Sequence, residues 1–262
     1  TEATVRNAAH LTYVNLGLRT LGLVERQLAL IEGLEDHEED PDHLETLFKL
    51  DHLATRMRRN SENLLVLAGT EHSHGANARP VPRIDVARAA ISEIERYERV
   101  RIDAVPDARV AGRAADDISH LVAELLDNAA GFSSPTDEIR LSGWLLETGE
   151  VMLSVEDTGI GVAPQRLEEL NALLADPDPA PPGAVAGMGL YVVARLAHRH
   201  GVRVELRSKR SGGTTAVVVL PQLLLPAVHP EEPPVTPLEA ALAGDPAAAS
   251  GAGTATLPAQ RE

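Results

Sequence analysis

The 262-residue chain contains no cysteine, so disulfide frameworks and thiolate metal sites are excluded at the outset. Lysine is nearly missing as well, found only at Lys49 and Lys209, and almost all basic charge is arginine. Together with abundant Ala, Gly and Pro, this reads as a high-GC coding bias rather than a functional signal. Basic residues also fall short of acidic ones, 24 against 39, for a net charge of −15. That balance argues against nucleic acid or an anionic membrane surface as the main partner. No apolar run approaches the roughly 20 residues of a bilayer span, and no signal peptide opens the chain. It starts with Thr rather than Met, which suggests an excised portion of something longer.

What is present falls into four stretches. Residues 1–35 contain no proline and place Leu11, Val14, Leu18, Leu21, Val24, Leu28, Ile31 and Leu34 at helical spacing. An acidic breaker, "EDHEEDPD", follows, and Pro41 opens a second helix in a first-turn position. Over about 42–68, Leu47, Leu50, Ala54, Met57, Ser61, Leu64 and Ala68 alternate steps of three and four, the seam of a coiled coil. Residues 1–69 therefore predict an antiparallel helical hairpin. Its apolar faces are too wide for a lone pair of helices, so two hairpins should form a four-helix bundle in a homodimer.

Residues 70–82 read as a Gly/Pro-rich linker, in which His72 and His74 are too isolated for a metal site. Residues 83–221 predict mixed α and β structure: helices at 85–97, 116–131, 165–175 and 188–200, and strands at 99–105, 108–112, 138–147, 151–156, 202–208 and 214–220. The expected fold class is α+β, an α/β sandwich with helices on one face of the sheet. Residues 222–262, built largely from Pro, Ala, Gly, Glu and Thr, cannot bury enough apolar surface to offset ordering entropy and read as a disordered tail.

Chemistry is concentrated in four motifs. "ELLDNAAGFS" places Glu124 and Asn128 one turn apart among leucine and alanine on a helix. "EDTGIGV" (156–162) follows a strand, "AGMGLYVVARLAHRHG" (186–201) opens a helix, and "SGGTT" (211–215) lies in a hairpin. Each glycine motif alone is ordinary turn chemistry. A helix beginning just after Gly187-Met188-Gly189, however, aims unpaired N–H groups and a positive dipole end at any anion placed there.

Taken in order, Glu-x-x-x-Asn, Asp-x-Gly-x-Gly, Gly-x-Gly-Leu and Gly-Gly-Thr closely resemble the N box and three glycine boxes of the GHKL (Bergerat) ATP-binding fold. With the hairpin in front, the arrangement resembles a bacterial sensor histidine kinase. It is most similar to actinobacterial sensor-kinase-like proteins of nitrate-sensing or conservon type. The resemblance implies ATP and Mg²⁺ as ligands. Asn128 would give Mg²⁺ a neutral oxygen, and Glu124 would hold a metal-bound water or polarise a nucleophile. Asp157 would accept from the adenine amino group, with Gly159 and Gly161 letting the backbone pass close to the base. Gly187, Gly189 and Leu190 would carry the lid's end and the phosphate-facing helix start, and Thr214 or Thr215 would complete the adenine side. The implied partners are a second copy, a response regulator receiver domain and, for the conservon type, small GTPase-associated regulatory proteins. The implied location is cytoplasmic, as the soluble portion of a membrane-anchored sensor.

Three positions depart from the family pattern. Gly131 stands where a basic, phosphate-contacting side chain is usual. Val185 replaces the first glycine of the lid box. In "LGLRTLG", Leu16 stands where the phosphoacceptor histidine would be. The remaining acceptor candidates are His10, near the seam and the chain start, and His52, which the heptad places opposite the seam at an exposed position. Asp51 beside His52 could orient the ring, and Arg56, Arg58 and Arg59 could steer phosphate. A kinase core with His52 as acceptor and Glu124 as catalytic carboxylate is the resulting expectation. The alternatives are a nucleotide-binding scaffold without phosphotransfer, or a GHKL serine kinase of anti-sigma type, which the long hairpin disfavours.

Overall fold

The computed structural model describes residues 2–69, 79–106, 108–176, 187–210 and 212–226, with side chains from residue 14 onward. The side chain of His10, the linker histidines His72 and His74, Val185 in the lid, and the tail beyond residue 226 lie outside the described residues.

Helix α1 (Glu2–Glu35) and helix α2 (Pro41–Leu67) form the hairpin. Asp40 caps α2, its Oδ1 accepting from the N–H groups of Asp42 and His43 at 2.9 and 3.4 Å, and Pro41 fills the first turn. The α1 seam runs through Gly17 and Val24, both buried. A Cβ at Gly17 would lie 2.9 Å from Leu65 Cδ2, so glycine is what lets the two helices approach there. Leu18 and Leu34 of the helically spaced apolar set are exposed, along with Leu16, Leu23 and Leu30. On α2, Ala54 and Ser61 are buried, while Leu50 and Met57, expected on its seam, instead face solvent with Leu53. Leu16, Leu23 and Leu30 recur every seven residues, which makes a second stripe that the hairpin itself does not cover.

The remaining elements are β1 (Val81–Pro82), α3 (Arg83–Ser92), β2 (Val100–Ile102), β3 (Arg109–Val110), α4 (Gly112–Phe132), β4 (Ile139–Leu145), β5 (Val151–Glu156), α5 (Pro164–Ala175), α6 (Met188–His200), β6 (Arg203–Ser208) and β7 (Thr214–Leu220). The main sheet has the order β2-β4-β5-β7-β6; β2 runs parallel to β4 and every other pair is antiparallel. Alternate residues on one face, Ile139 and Leu141, Val151, Leu153 and Val155, Ala216, Val218 and Leu220, pack with apolar residues of α3, α4 and α6. Helices on one face of a mostly antiparallel sheet are the expected sandwich.

Three details differ from the pattern-based expectation. Strand 108–112 is absent from the main sheet; its two paired residues form a separate ribbon with β1. Helix α3 stops at Ser92 rather than near 97, and the Glu93 carbonyl accepts from Arg59 Nη1 at 3.2 Å instead of continuing the ladder. The packed chain also runs past residue 221, because Leu224 is buried and its carbonyl accepts from Ala111 N at 2.8 Å.

Buried Arg99 closes the far end of α4. It donates to the carbonyls of Ala130, Ser134 and Asp137 and to Ser133 Oγ. These bonds add to those that Ser133 Oγ gives the Ala129 carbonyl and Ile160 N gives the Phe132 carbonyl at this helix C-terminus. This fixes where Asn128 and Phe132 stand.

Candidate functional site

Helix α4 carries its apolar residues, Ile118, Leu121, Val122, Leu125, Leu126 and Ala129, toward the sheet and α6. The other face presents His120, Glu124, Asp127 and Gly131 in a single stripe at helical spacing, with Asn128 beside it. Glu124 and Asn128 meet the start of α6. A Cβ at Gly189 would meet Glu124 Oε2 and lie 3.7 Å from Asn128 Nδ2, so the start of α6 passes directly against both side chains and glycine spares the Glu124 carboxylate a displacement. Gly187 caps α6 in the left-handed region at φ 94°, which turns the chain into the helix. Leu190 packs behind it against the core. Asn128 Nδ2 is buried and has no hydrogen-bond partner among the described residues. A buried amide without a partner is costly unless a ligand pairs with it.

The second cluster is built on Asp157, at the end of β5 and 6% exposed. Its Oδ1 accepts from Gly159 N at 2.8 Å and from Thr214 N at 3.1 Å, and its own N–H donates to the Thr214 carbonyl. The carboxylate is therefore locked by one oxygen, and the other is left for a donor such as an exocyclic amine. The glycines here are steric requirements. A Cβ at Gly159 would lie 2.1 Å from the Phe132 carbonyl oxygen, and one at Gly213 would lie 2.3 Å from the Asp157 carbonyl oxygen. Gly161, at φ 72°, passes against Gly213. Thr214 contributes its backbone to Asp157, and Thr215 pairs with Glu156 one position along β7. The two clusters join through α4, because the Phe132 carbonyl beside Gly159 is four residues beyond Asn128 and also accepts from Ile160 N at 3.3 Å.

Behind this site, Asp117 of α4 ties to α6 through Arg199 Nη1 at 3.0 Å and His200 Nε2 at 2.7 Å. Burial works against its charged form, but hydrogen bonds from His200 and Arg199 outweigh it and hold the carboxyl below the usual aspartate range.

The residues fit the ligands the motifs imply. Mg²⁺ is commonly held by one or two protein oxygens together with waters and phosphates, and the Asn128 amide with the nearby Glu124 carboxylate supplies such a pair. Among the described residues no cluster of three His, Asp or Glu side chains could hold a metal by itself. Gly131 is exposed, and among the described residues nothing lies within 4 Å of where its Cβ would be.

His52 is placed differently from its sequence expectation. It is half-buried, and its ring stacks on Tyr97 with centroids 6.0 Å apart. Arg56, Arg58 and Arg59, expected to steer phosphate, are instead paired with carboxylates: Arg56 with Glu95 at 3.0 Å, Arg58 with Glu62 and Glu93, and Arg59 with Glu124 and Asp127. Sequence reading missed Asn63, which reaches Glu124 and His120. Positions 52, 56, 59 and 63 form one polar stripe of α2, and that periodicity is visible in the sequence beside the apolar seam.

Residues 113–224 match the family described as histidine kinase-, DNA gyrase B-, and HSP90-like ATPase. Their fold is the GHKL sandwich. Among curated proteins, the phosphate regulon sensor protein PhoR of Pseudomonas aeruginosa is 32% identical over 196 residues, covering 71% of this chain and 44% of PhoR. Sensor protein SrrB of Staphylococcus aureus is 28% identical over 116 residues, covering 44% of this chain and 20% of SrrB. The chain thus spans less than half the length of these relatives. Among solved structures, full-length ShkA in complex with AMPPNP aligns over 80% of this chain and 45% of its own, with a TM-score of 0.50 at 20% identity. The motif-based resemblance to bacterial sensor histidine kinases is borne out by these matches.

Proposed function

We propose that this chain is the core of a two-component sensor histidine kinase. It binds Mg·ATP between α4, the Asp157–Gly161 loop and the start of α6. It then passes the γ-phosphoryl group to His52 and from there to an aspartate on a response regulator. The observation that carries this reading is the meeting of the unpartnered Asn128 amide and Glu124 with the glycine start of α6. Such an arrangement holds a metal-bridged phosphate chain at a helix N-terminus.

In this reading Asp157 selects adenine, the α6 N–H groups bind phosphate, and Asn128 with Glu124 holds Mg²⁺ and its water. Held there by Asn128 and Glu124, Mg²⁺ would supply charge neutralisation at the phosphates; the protein's share is positioning and electrostatic stabilisation. His52 requires an unprotonated ring nitrogen to attack. Its place on the α2 stripe that contacts the ATPase domain supports it as the acceptor. A second copy covers Leu16, Leu23, Leu30, Leu50, Leu53 and Met57 in a four-helix bundle. The working location is cytoplasmic; no described helix is long and apolar enough to cross a membrane.

Incubation with Mg²⁺ and γ-labelled ATP should yield acid-labile, alkali-stable label that His52→Gln removes. Label that survives His52→Gln contradicts the acceptor assignment alone. Gly131 and Leu16 favour a second reading, a nucleotide-binding scaffold signalling through dimer geometry with small GTPase-associated proteins as partners. Intact ATP binding with no label would decide for it.

A further inference from the structure

The carboxylate assigned to the metal's water is already engaged by the hairpin. Glu124, 6% exposed, sits with Oε1 3.2 Å from Arg59 Nε and 3.1 Å from Asn63 Nδ2, which donates to it. An ionised carboxylate oxygen offers about two lone-pair sites, so these two donors fill Oε1. The other oxygen, Oε2, faces the Gly189 backbone. Asn63 is fixed in turn, because its Oδ1 accepts from His120 Nε2 at 2.6 Å. Arg59 spends the rest of its guanidinium on Asp127 and on the Glu93 carbonyl.

Arg59 is 4% exposed, and a buried guanidinium persists only where its charge and donors are met. Its two ion-pair partners among the described residues, Glu124 and Asp127, both belong to the α4 stripe that borders the nucleotide site, and the Glu93 carboxylate lies within reach of its field from α3's end. Its positive charge therefore stands beside Glu124, where the same carboxylate would serve a metal-bound water. Buried ion pairs give little net stability, because desolvation offsets much of their attraction, and such a contact can be reversed by a modest input.

The location of His52 gives the contact a direction. It lies seven residues before Arg59 on the same stripe of α2, two turns or about 10 Å away. In this arrangement Glu124 faces Arg59 and Asn63, while His52 is stacked on Tyr97. The same docking engages the residue that would handle phosphoryl transfer with Arg59 and Asn63, and the residue that would accept the group with Tyr97.

We infer that Arg59 and Asn63 form an autoinhibitory clasp on Glu124, so that docking of the hairpin and binding of Mg·nucleotide oppose each other. The inference rests on the proposed ATP site. By linkage, whatever loosens the clasp tightens metal-nucleotide binding, and nucleotide loading loosens the clasp by the same factor. The opposition acts through the metal's carboxylate, so it belongs to the Mg²⁺-dependent part of binding.

The test is calorimetric titration of the whole chain with the non-hydrolysable analogue AMPPNP, with Mg²⁺ and again with EDTA. Arg59→Gln should bind Mg·AMPPNP about 10-fold more tightly than wild type, as release of a closed population requires. In EDTA the two proteins should differ by less than about 3-fold. Asp127→Asn, which removes Arg59's other anchor while leaving α2 intact, should shift affinity in the same direction and serves if Arg59→Gln fails to fold. Unchanged or weaker Mg·AMPPNP binding in a folded variant overturns the clasp while leaving the ATP site standing. Failure of wild type and both variants to bind at all overturns both readings.

Discussion

In the α/β domain, Ile118, Leu121, Leu126, Ile139, Leu141 and Leu220 are withdrawn from water. In the hairpin, Leu16, Leu23, Leu30, Phe48, Leu53 and Met57 each keep about half their surface or more exposed. Both regions are rich in leucine, and both helical periodicities are regular. The difference is closure. The sheet and its helices bury one another, whereas two helices bury only the seam between them and leave a second apolar stripe. The first region is built to hold a fixed site, and the second to meet another surface.

The largest expected effect lies in the closed region. Gly159→Ala would drive a methyl into the Phe132 carbonyl, and Gly213→Ala would combine a backbone clash with φ 86°. Either should cost about 3 kcal/mol or more, read as a lowered urea midpoint together with loss of nucleotide binding. Gly22→Ala in the hairpin meets nothing within 4 Å and should leave the midpoint unchanged or slightly raised.

Next comes the open stripe. Leu23→Glu with Leu53→Glu should leave helix content nearly intact yet shift the protein to monomer in analytical ultracentrifugation. Loss of fold without a change in association would place the stripe inside the monomer core instead.

Asp117→Asn should destabilise the closed region by about 2 kcal/mol at pH 7, because it weakens charge-assisted hydrogen bonds to Arg199 and His200. The Asp117 carboxyl is depressed in the folded protein, so its contribution is complete above the unfolded value near pH 4 and is lost as pH falls through the folded value. Wild type and Asp117→Asn should therefore converge in stability in strong acid. The smallest effect on stability is expected for Gly131→Lys. The added side chain enters open space and should change stability by less than about 0.5 kcal/mol. If this position faces phosphate, AMPPNP affinity should rise severalfold.

Legibility in the sequence followed the same division. Long helices and the strands of the main sheet declare themselves through period and turn residues, and the glycine motifs through their order. The β1–β3 ribbon did not, because two paired residues carry no period. The early end of α3 depends on Arg59, 34 residues back in the chain, reaching the Glu93 carbonyl. The ATP-site motifs were legible as types, and the structure adds why two of their glycines are obligatory. The clasp was illegible in detail because Asn63 and Glu124 are 61 residues apart. Only the polar stripe at 52, 56, 59 and 63 hinted that α2 has a second partner.

The central claim is that Asn128 belongs to a Mg·ATP site, and one titration tests it most directly. Wild type and Asn128→Ala are each titrated with Mg·AMPPNP, with urea denaturation confirming that both fold. The account predicts binding by wild type and loss of at least about 10-fold in affinity for Asn128→Ala at an unchanged urea midpoint. Equal affinity in the two proteins would contradict it.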